Sequence, residues 1–184
     1  MNVKIIIPTN LNDVTVGQFQ NIDELSKGEL IGVELDNEIL KVILNFNEVE
    51  SISVKDRNTI TKDIQEALLK DGEFQHKFKL NGVNYGLIPN FDSITNGEYT
   101  DLIKYADGIE DLHRFLAVAY RPIIKKDMFN NYLIEDYKGT SEHADAMREL
   151  PMSIAKGVQG FFLTLSNDLR NHILMSTEQE LARV

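Results

Sequence analysis

The sequence predicts an α+β protein, mostly helical, folded as a single unit with a small antiparallel sheet, a protruding hairpin and a long C-terminal helix. Three observations support this prediction. Apolar residues recur at helical spacing through most of the 184 residues. The spacing changes to strict alternation on both sides of Asn81-Gly82, which is typical of a β-hairpin. A turn that leads from a strand into a helix also occurs twice.

For description, the unit is divided into four parts. Residues 1–72 contain an N-terminal strand and three helices, and residues 73–122 contain a first hairpin and two helices. Residues 123–140 form the protruding hairpin, and residues 141–184 form the C-terminal helices. No low-complexity segment or long linker separates these parts, so we expect them to share one fold.

The repeated turn spans residues 7–19 and residues 88–99. Pro8 and Pro89 are expected to end a strand, because proline removes a hydrogen-bond donor from the ladder and fixes φ. In each copy a threonine then stands three residues before a glutamine or glutamate, which is the spacing of a capping box. The two predicted capping pairs are Thr15 with Gln18 and Thr95 with Glu98. Taken alone, this turn indicates a structural connection rather than an activity.

The first part is predicted to begin with a strand at residues 3–7, which is rich in β-branched residues. The helices that follow are predicted at residues 15–25, 34–46 and 53–70. The second of these helices is apolar nearly all round, which indicates that the core or a partner covers it on more than one side. Its residues Leu35, Ile39 and Phe46 are therefore candidates for an interface.

The second part is predicted to begin with a hairpin over residues 74–88, whose turn is Asn81-Gly82. We expect the N-terminal strand to pair with this hairpin. The two helices of this part are predicted at residues 95–105 and 109–120. The second must end before Pro122, because the residue that precedes a proline is pushed out of the helical region.

The third part lacks a helical stripe from residue 123 to residue 137 and contains Asn130-Asn131, which favours a turn. A second, smaller hairpin is therefore predicted there. Ile123 and Tyr132 of this hairpin are candidates for an interface, because the hairpin is expected to protrude.

The fourth part is predicted to hold a short helix up to about residue 149 and a last helix that starts at Pro151. The last helix is expected to reach about residue 175 and to continue to residue 181 after a Ser-Thr pair. It has the strongest apolar stripe in the chain, and Phe161 and Phe162 on that stripe are candidates for an interface. Gly157 and Gly160 each cost about 1 kcal/mol relative to alanine, which predicts that another backbone packs closely against them.

Composition and charge exclude several classes of protein. The chain has no cysteine, which excludes a disulfide scaffold, a thiol nucleophile and a cysteine-ligated metal, and suits an intracellular origin. No apolar run approaches the roughly 20 residues that span a bilayer, and residues 1–8 do not resemble a signal peptide, so no membrane partner is expected. The net charge of −10 argues against specific nucleic-acid binding through phosphates.

No catalytic, metal-binding or cofactor-binding site is predicted, and we do not expect an enzyme. None of the histidines has a ligand or base partner at a useful helical spacing; they are His76, His113, His143 and His172. The sequence contains the residue types of a catalytic triad in Ser141, His143 and Asp145. Side chains two residues apart at the start of a helix do not face each other, however, so no triad is expected. Arg121 is the one residue expected to make a specific contact, either with its own helix end or with a partner's carboxylate.

Residues 78–99, 117–123 and 134–137 resemble a known family, the small virion-associated proteins of crAss-like tailed phages that infect Bacteroidetes. The resemblance covers most of the chain from residue 74 onward and is weaker before it. Asn96 departs from the family pattern, which has an apolar residue at that turn position. The family offers no catalytic residues and no cofactor to carry over.

The resemblance implies a non-enzymatic structural protein of a phage virion, most plausibly a ring or connector subunit in the neck between portal and tail. Its partners would be neighbouring copies in the ring, the portal and other tail or neck proteins, with the genome passing nearby. It would be made in the cytoplasm of the bacterial host and reside in the virion. The alternative is a tail assembly chaperone that leaves before the particle matures; a small hydrolase or nuclease would need a site that the sequence does not show.

Overall fold

The computed structural model describes residues 7–140 and 142–162. The predicted N-terminal strand, apart from residue 7, lies outside the described residues, and so does the predicted last helix beyond residue 162. Within the described part the α+β class is confirmed, because several helices surround one small antiparallel sheet.

Three helices form the first part of the fold: α1 at Val16–Lys27, α2 at Gly32–Leu44 and α3 at Val54–Leu68. Their bounds agree with the sequence-based prediction to within a few residues. Helices α2 and α3 enclose a small apolar core of their own, made of Leu40, Ile43, Leu44, Val49, Ile60 and Ile64. The broad apolar surface of α2 is thus covered partly by α3.

The sheet contains β1 at Lys77–Leu80, β2 at Val83–Leu87, β3 at Tyr120–Lys126 and β4 at Tyr132–Ile134, in that spatial order and all antiparallel. The predicted turn is confirmed, since Asn81 and Gly82 both have positive φ, as a two-residue hairpin loop requires. The prediction that the second hairpin starts at residue 123 was wrong by three residues. Strand β3 begins at Tyr120, and Pro122 lies inside it, paired with Tyr85 of β2.

Two helices lie between the hairpins: α4 at Asn96–Ala106 and α5 at Leu112–Ala119. Helix α5 starts three residues later than predicted, and all of its residues except the exposed Arg114 are buried. It forms the centre of the main core, together with apolar residues of the sheet, of α4 and of the C-terminal segment.

The C-terminal segment contains a one-turn helix, α6 at Ala144–Met147, and helix α7, which covers residues 152–162 of the described chain. The start of α7 is joined to the start of α1 by a β-bridge between Thr15 and Pro151. In addition, the N–H of Val16 donates to the carbonyl oxygen of Leu150 at 2.9 Å, and the N–H of Gly17 donates to that of Arg148 at 2.7 Å. The first amides of α1 are therefore satisfied by a distant part of the chain.

One of the two predicted close backbone contacts on the last helix is present. A Cβ at Gly157 would overlap the backbone of Glu73 and Phe74, and a Cβ at Gly72 would overlap the backbone of α7. At Gly160 no such contact is made by the described residues, since a Cβ there would meet none of their atoms within 4 Å. Gly157 is thus the position at which glycine lets two stretches of main chain touch.

Candidate functional site

Both predicted capping boxes are confirmed. At the start of α1, the Thr15 N–H donates to Gln18 Oε1 at 2.9 Å, and the Gln18 N–H donates to Thr15 Oγ1 at 3.1 Å. At the start of α4, the Thr95 N–H donates to Glu98 Oε2 at 2.6 Å, and the Glu98 N–H donates to Thr95 Oγ1 at 3.2 Å. A short 3-10 turn precedes each box, at Leu11–Asp13 and Phe91–Ser93. Pro8 and Pro89 lie just before these turns, outside the helices and strands.

In each box, one polar side-chain atom of the glutamine or glutamate takes no part in the cap, and this atom binds a different partner in the two boxes. Gln18 Nε2 donates to the carbonyl oxygens of Val42 and Ile43 near the end of α2, at 3.0 and 3.1 Å. Glu98 Oε1 instead accepts a hydrogen bond from Arg121 Nη2 and forms a buried ion pair with it. Each box therefore fastens its helix to a second element, α2 in one case and β3 in the other.

Arg121 is only 6% exposed, so it is a buried structural residue rather than a surface contact. Its guanidinium lies over the ring of Tyr137, 5.6 Å from the centroid, and the Tyr137 hydroxyl donates to Asp101. Burial has the largest effect on the pKa of Glu98 and raises it, but the Thr95 hydrogen bonds and Arg121 together hold this pKa below its ordinary value. Glu98 is therefore a carboxylate at neutral pH.

A cleft of about 350 Å³ lies beside this ion pair. Three carboxylates, those of Glu98, Glu135 and Asp136, line it together with the single guanidinium of Arg121. Since Glu98 already neutralises Arg121, the cleft offers an anion no net positive charge. Its chemistry does not point to a substrate.

The other candidate interface residues are engaged within the chain. Ile39 and Phe46 pack against the core of α2 and α3, while Leu35 is half-buried. Tyr132 lies on Gly86, where a Cβ would collide with the tyrosine ring, and its hydroxyl donates to the Leu87 carbonyl oxygen at 2.8 Å. Ile123, Phe161 and Phe162 are also half-buried, and both phenylalanines pack against the main core.

Different residues, which the sequence analysis did not single out, form the exposed apolar surface of the second hairpin. We call residues 123–134 the arm. Met128 and Phe129 at its tip are 90% and 79% exposed, and Ile124 and Leu133 are exposed as well. Ile124 lies at a register shift between β3 and β4, where an extra residue bulges from the ladder. A signal existed in the sequence, because Met-Phe beside Asn-Asn places large apolar side chains in a turn.

A second exposed apolar surface spans the end of the connection between α1 and α2 and the first residues of α2. We call residues 29–36 the acidic segment, because it carries Glu29, Glu34 and Asp36 and no basic residue. Ile31 and Val33 within it are 80% and 61% exposed. Asp36 pairs with Arg57 at 2.7 Å, whereas Glu29 and Glu34 form no ion pair with any described residue.

The described histidines lie in structural contacts. His113 is buried between Gln20 Nε2, 2.9 Å from Nδ1, and Arg148 Nη2, 3.2 Å from Nε2. Burial lowers its pKa most, and the charges of Arg148 and Arg114 lower it further. Ser141, the first residue of the triad that the sequence argues against, lies outside the described residues, as does His172.

One group in the described chain brings three possible metal ligands together, namely Glu135, Glu142 and His143, whose ligand atoms lie within 4.8 Å of one another. Glu135 already accepts from His143 Nε2 at 3.0 Å and lies 3.6 Å from Lys138 Nζ, while Glu142 is exposed. The contacts describe an ion-pair cluster that connects the end of β4 to the start of α6.

No protein-family model, curated protein or solved structure significantly matches this chain. Among the described helices, none has the length and apolar character needed to cross a membrane.

Proposed function

We propose that the protein is a non-enzymatic structural subunit of a tailed-phage virion, which assembles with copies of itself into a ring or connector of the neck. The proposal starts from the family resemblance of residues 78–99, 117–123 and 134–137. A ring subunit must present two different surfaces, because each copy meets its two neighbours through opposite sides of a heterologous interface.

The observation that supports this proposal is the pair of exposed apolar surfaces on separate elements. The arm lies at one edge of the sheet, whereas the acidic segment includes the start of α2, which contributes to the smaller core. Exposed apolar side chains that cluster in this way are typical of protein–protein interfaces. The two surfaces also differ in charge, since the arm carries Lys125 and Lys126, whereas every charged residue of the acidic segment is an acid.

The test is peptide mass spectrometry of gradient-purified particles of a phage that encodes the chain, with copy number measured relative to the portal. The proposal expects a stoichiometric signal of this protein in the particles. Its absence from particles, with abundance in the infected lysate, would contradict the structural role and favour an assembly chaperone. Retention of the protein after a high-salt wash is the control for material that only adheres to the particle.

A further inference from the structure

We propose that the arm of one copy docks on the acidic segment of the next copy, with Met128 and Phe129 covering Ile31 and Val33. This inference rests on the proposed function and specifies which two surfaces of the subunit meet. Its occupant is a second copy of this chain, and charge complementarity is the main argument for it.

The arm carries positive charge on an otherwise acidic chain. Lys125 and Lys126 against Asp127 give residues 123–134 a net charge of +1, although the chain as a whole carries −10. Both lysines are exposed, and neither forms an ion pair with a described residue. Lys125 lies opposite Leu133 in the hairpin, so a basic and an apolar side chain share one face.

The tip of the arm is held in shape by its own hydrogen bonds. Asp127 accepts from the N–H groups of Phe129 and Asn131, both at 2.9 Å, and from Asn131 Nδ2 at 2.8 Å. Tyr132, which pairs with Lys126 directly beside this tip loop, packs its ring on Gly86. Because these hydrogen bonds already order the loop that carries Met128 and Phe129, little backbone entropy is lost when the two side chains are covered.

The acidic segment has the complementary composition. The exposed Ile31 and Val33 are separated by Gly32, and Glu29 and Glu34, which form no ion pair with a described residue, lie on either side of them. Two glutamates and two lysines, none of which forms an ion pair with a described residue, therefore stand on the two surfaces. Gly32, with φ of +59°, exposes the backbone at this point, and a Cβ there would meet no described atom within 4 Å.

Charge also selects a head-to-tail contact over a symmetric one. Two arms placed against each other would bring four lysines together, and two acidic segments would bring their carboxylates together, so both symmetric pairings are repulsive. An arm against an acidic segment joins unlike surfaces. Repeating that contact from copy to copy generates a ring where the rotation closes.

The test uses the absence of cysteine from the native chain. Phe129→Cys is mixed with Ile31→Cys and treated with a short bismaleimide, which couples only introduced thiols, and the mixed product is distinguished from the two like-with-like products by mass spectrometry. Leu69→Cys replaces Ile31→Cys in the matched control, because Leu69 is 81% exposed and Ile31 80%, and Leu69 follows α3 outside the acidic segment. We expect the mixed cross-link to form at least about tenfold faster with Ile31→Cys than with Leu69→Cys, as a specific interface requires.

A charge exchange provides a second measurement. The double variant K125E/K126E should weaken self-association at low salt by on the order of tenfold, and E29K/E34K should do the same. Combining the four changes should restore association, because the charges are again complementary. The matched control is K62E, which changes an exposed lysine of α3 and should leave association unchanged.

The outcomes separate the inference from the proposed function. The inference would be overturned if Phe129→Cys were cross-linked to Ile31→Cys and to Leu69→Cys at equal rates, or if it coupled preferentially to itself. A chain that stays monomeric at every concentration would overturn it as well. Stoichiometric presence in particles together with any of these results would leave the structural role standing and move the interface elsewhere. Faster coupling to Ile31→Cys in a protein that is absent from particles would support the contact but contradict the virion role.

Discussion

Helices α1 and α4 begin with the same capping box, but its third helical residue is glutamine in one and glutamate in the other. The side-chain atom that differs between glutamine and glutamate determines which element each box binds. The amide nitrogen of Gln18 must donate and meets two carbonyl oxygens of α2, whereas the corresponding oxygen of Glu98 must accept and meets the guanidinium of Arg121. The capping geometry is common to both, so the choice of residue follows from the neighbour beyond the cap.

The surroundings of the two helix starts differ as well. The amides of Val16 and Gly17 bond to carbonyl oxygens near α6, which closes the start of α1. No backbone carbonyl from another part of the described chain bonds to the first amides of α4, and Thr95 lines the cleft beside the ion pair. The first box is thus stabilised by neutral hydrogen bonds in a closed contact, and the second by charge at the wall of a cleft.

The largest expected effect on stability comes from removing Arg121, the cation that pairs with Glu98 of the second box. Arg121→Met leaves the buried Glu98 carboxylate without its partner and should lower the free energy of unfolding by about 3–5 kcal/mol. Urea titration followed by circular dichroism measures this loss. The control is Lys62→Met, which breaks an exposed ion pair with Glu66 and should change the free energy of unfolding by less than about 1 kcal/mol. If E98Q/R121M were no more stable than R121M, the ion pair would not be the cause.

Next in size is a change that gives the first box the composition of the second. Gln18→Glu keeps the cap but places a carboxylate against the carbonyl oxygens of Val42 and Ile43, so we expect a loss of about 2–3 kcal/mol in urea. Gln65→Glu is the matched control, because Gln65 is exposed on α3 and the same substitution there should cost less than about 0.5 kcal/mol. Equal losses at both positions would show that Gln18 does not act through α2.

The shared part of the two boxes predicts equal effects. Thr15→Ala and Thr95→Ala each remove one hydroxyl acceptor from the third helical amide and should each cost about 1 kcal/mol. The two variants are compared by thermal unfolding under identical conditions. A difference between them above about 1 kcal/mol would mean that the boxes are not equivalent even in their caps.

Acid distinguishes the two boxes in a further way. The folded-state pKa of Glu98 lies below its unfolded value of about 4.3, so its contribution to stability is complete above that pH. The contribution is lost as the pH falls through the lowered folded-state pKa. E98Q should therefore flatten the dependence of unfolding temperature on pH below about 4.3, whereas Q18A should leave that dependence unchanged, since glutamine does not titrate.

The smallest effect is expected near neutral pH and belongs to His113, which contacts α1 through Gln20. Its pKa is lowered by burial first and then by Arg148 and Arg114, so the unfolded chain takes up a proton below about pH 6.5 before the folded chain does. Stability should fall as the pH drops from about 6.5 toward the folded-state pKa. His113→Asn should remove this slope in calorimetric scans; an unchanged slope would assign it to another group.

Local chemistry made much of the fold predictable. The capping boxes, the Asn81-Gly82 turn and the helix positions depend on residues close together in the chain. The pairing of β3 with β2 was not predicted, because Pro122 has no N–H to donate and proline is rare in a strand with neighbours on both sides. Amphipathic patterns also cannot tell a chain's own core from a partner, which explains why Tyr132 and Phe161 were predicted at an interface and are packed internally.

The contact between Gly72 and Gly157 limits the order in which parts of the fold can form as the chain is synthesised. The segment around residues 72–74 reaches its final place only against α7, and the start of α1 only against residues 148–151. Both regions leave the ribosome long before their acceptors are made, so these long-range contacts form last and slow folding. A nascent chain that stops short of Gly157 lacks the partners of these segments, so the contacts can form only after the start of α7 has been synthesised.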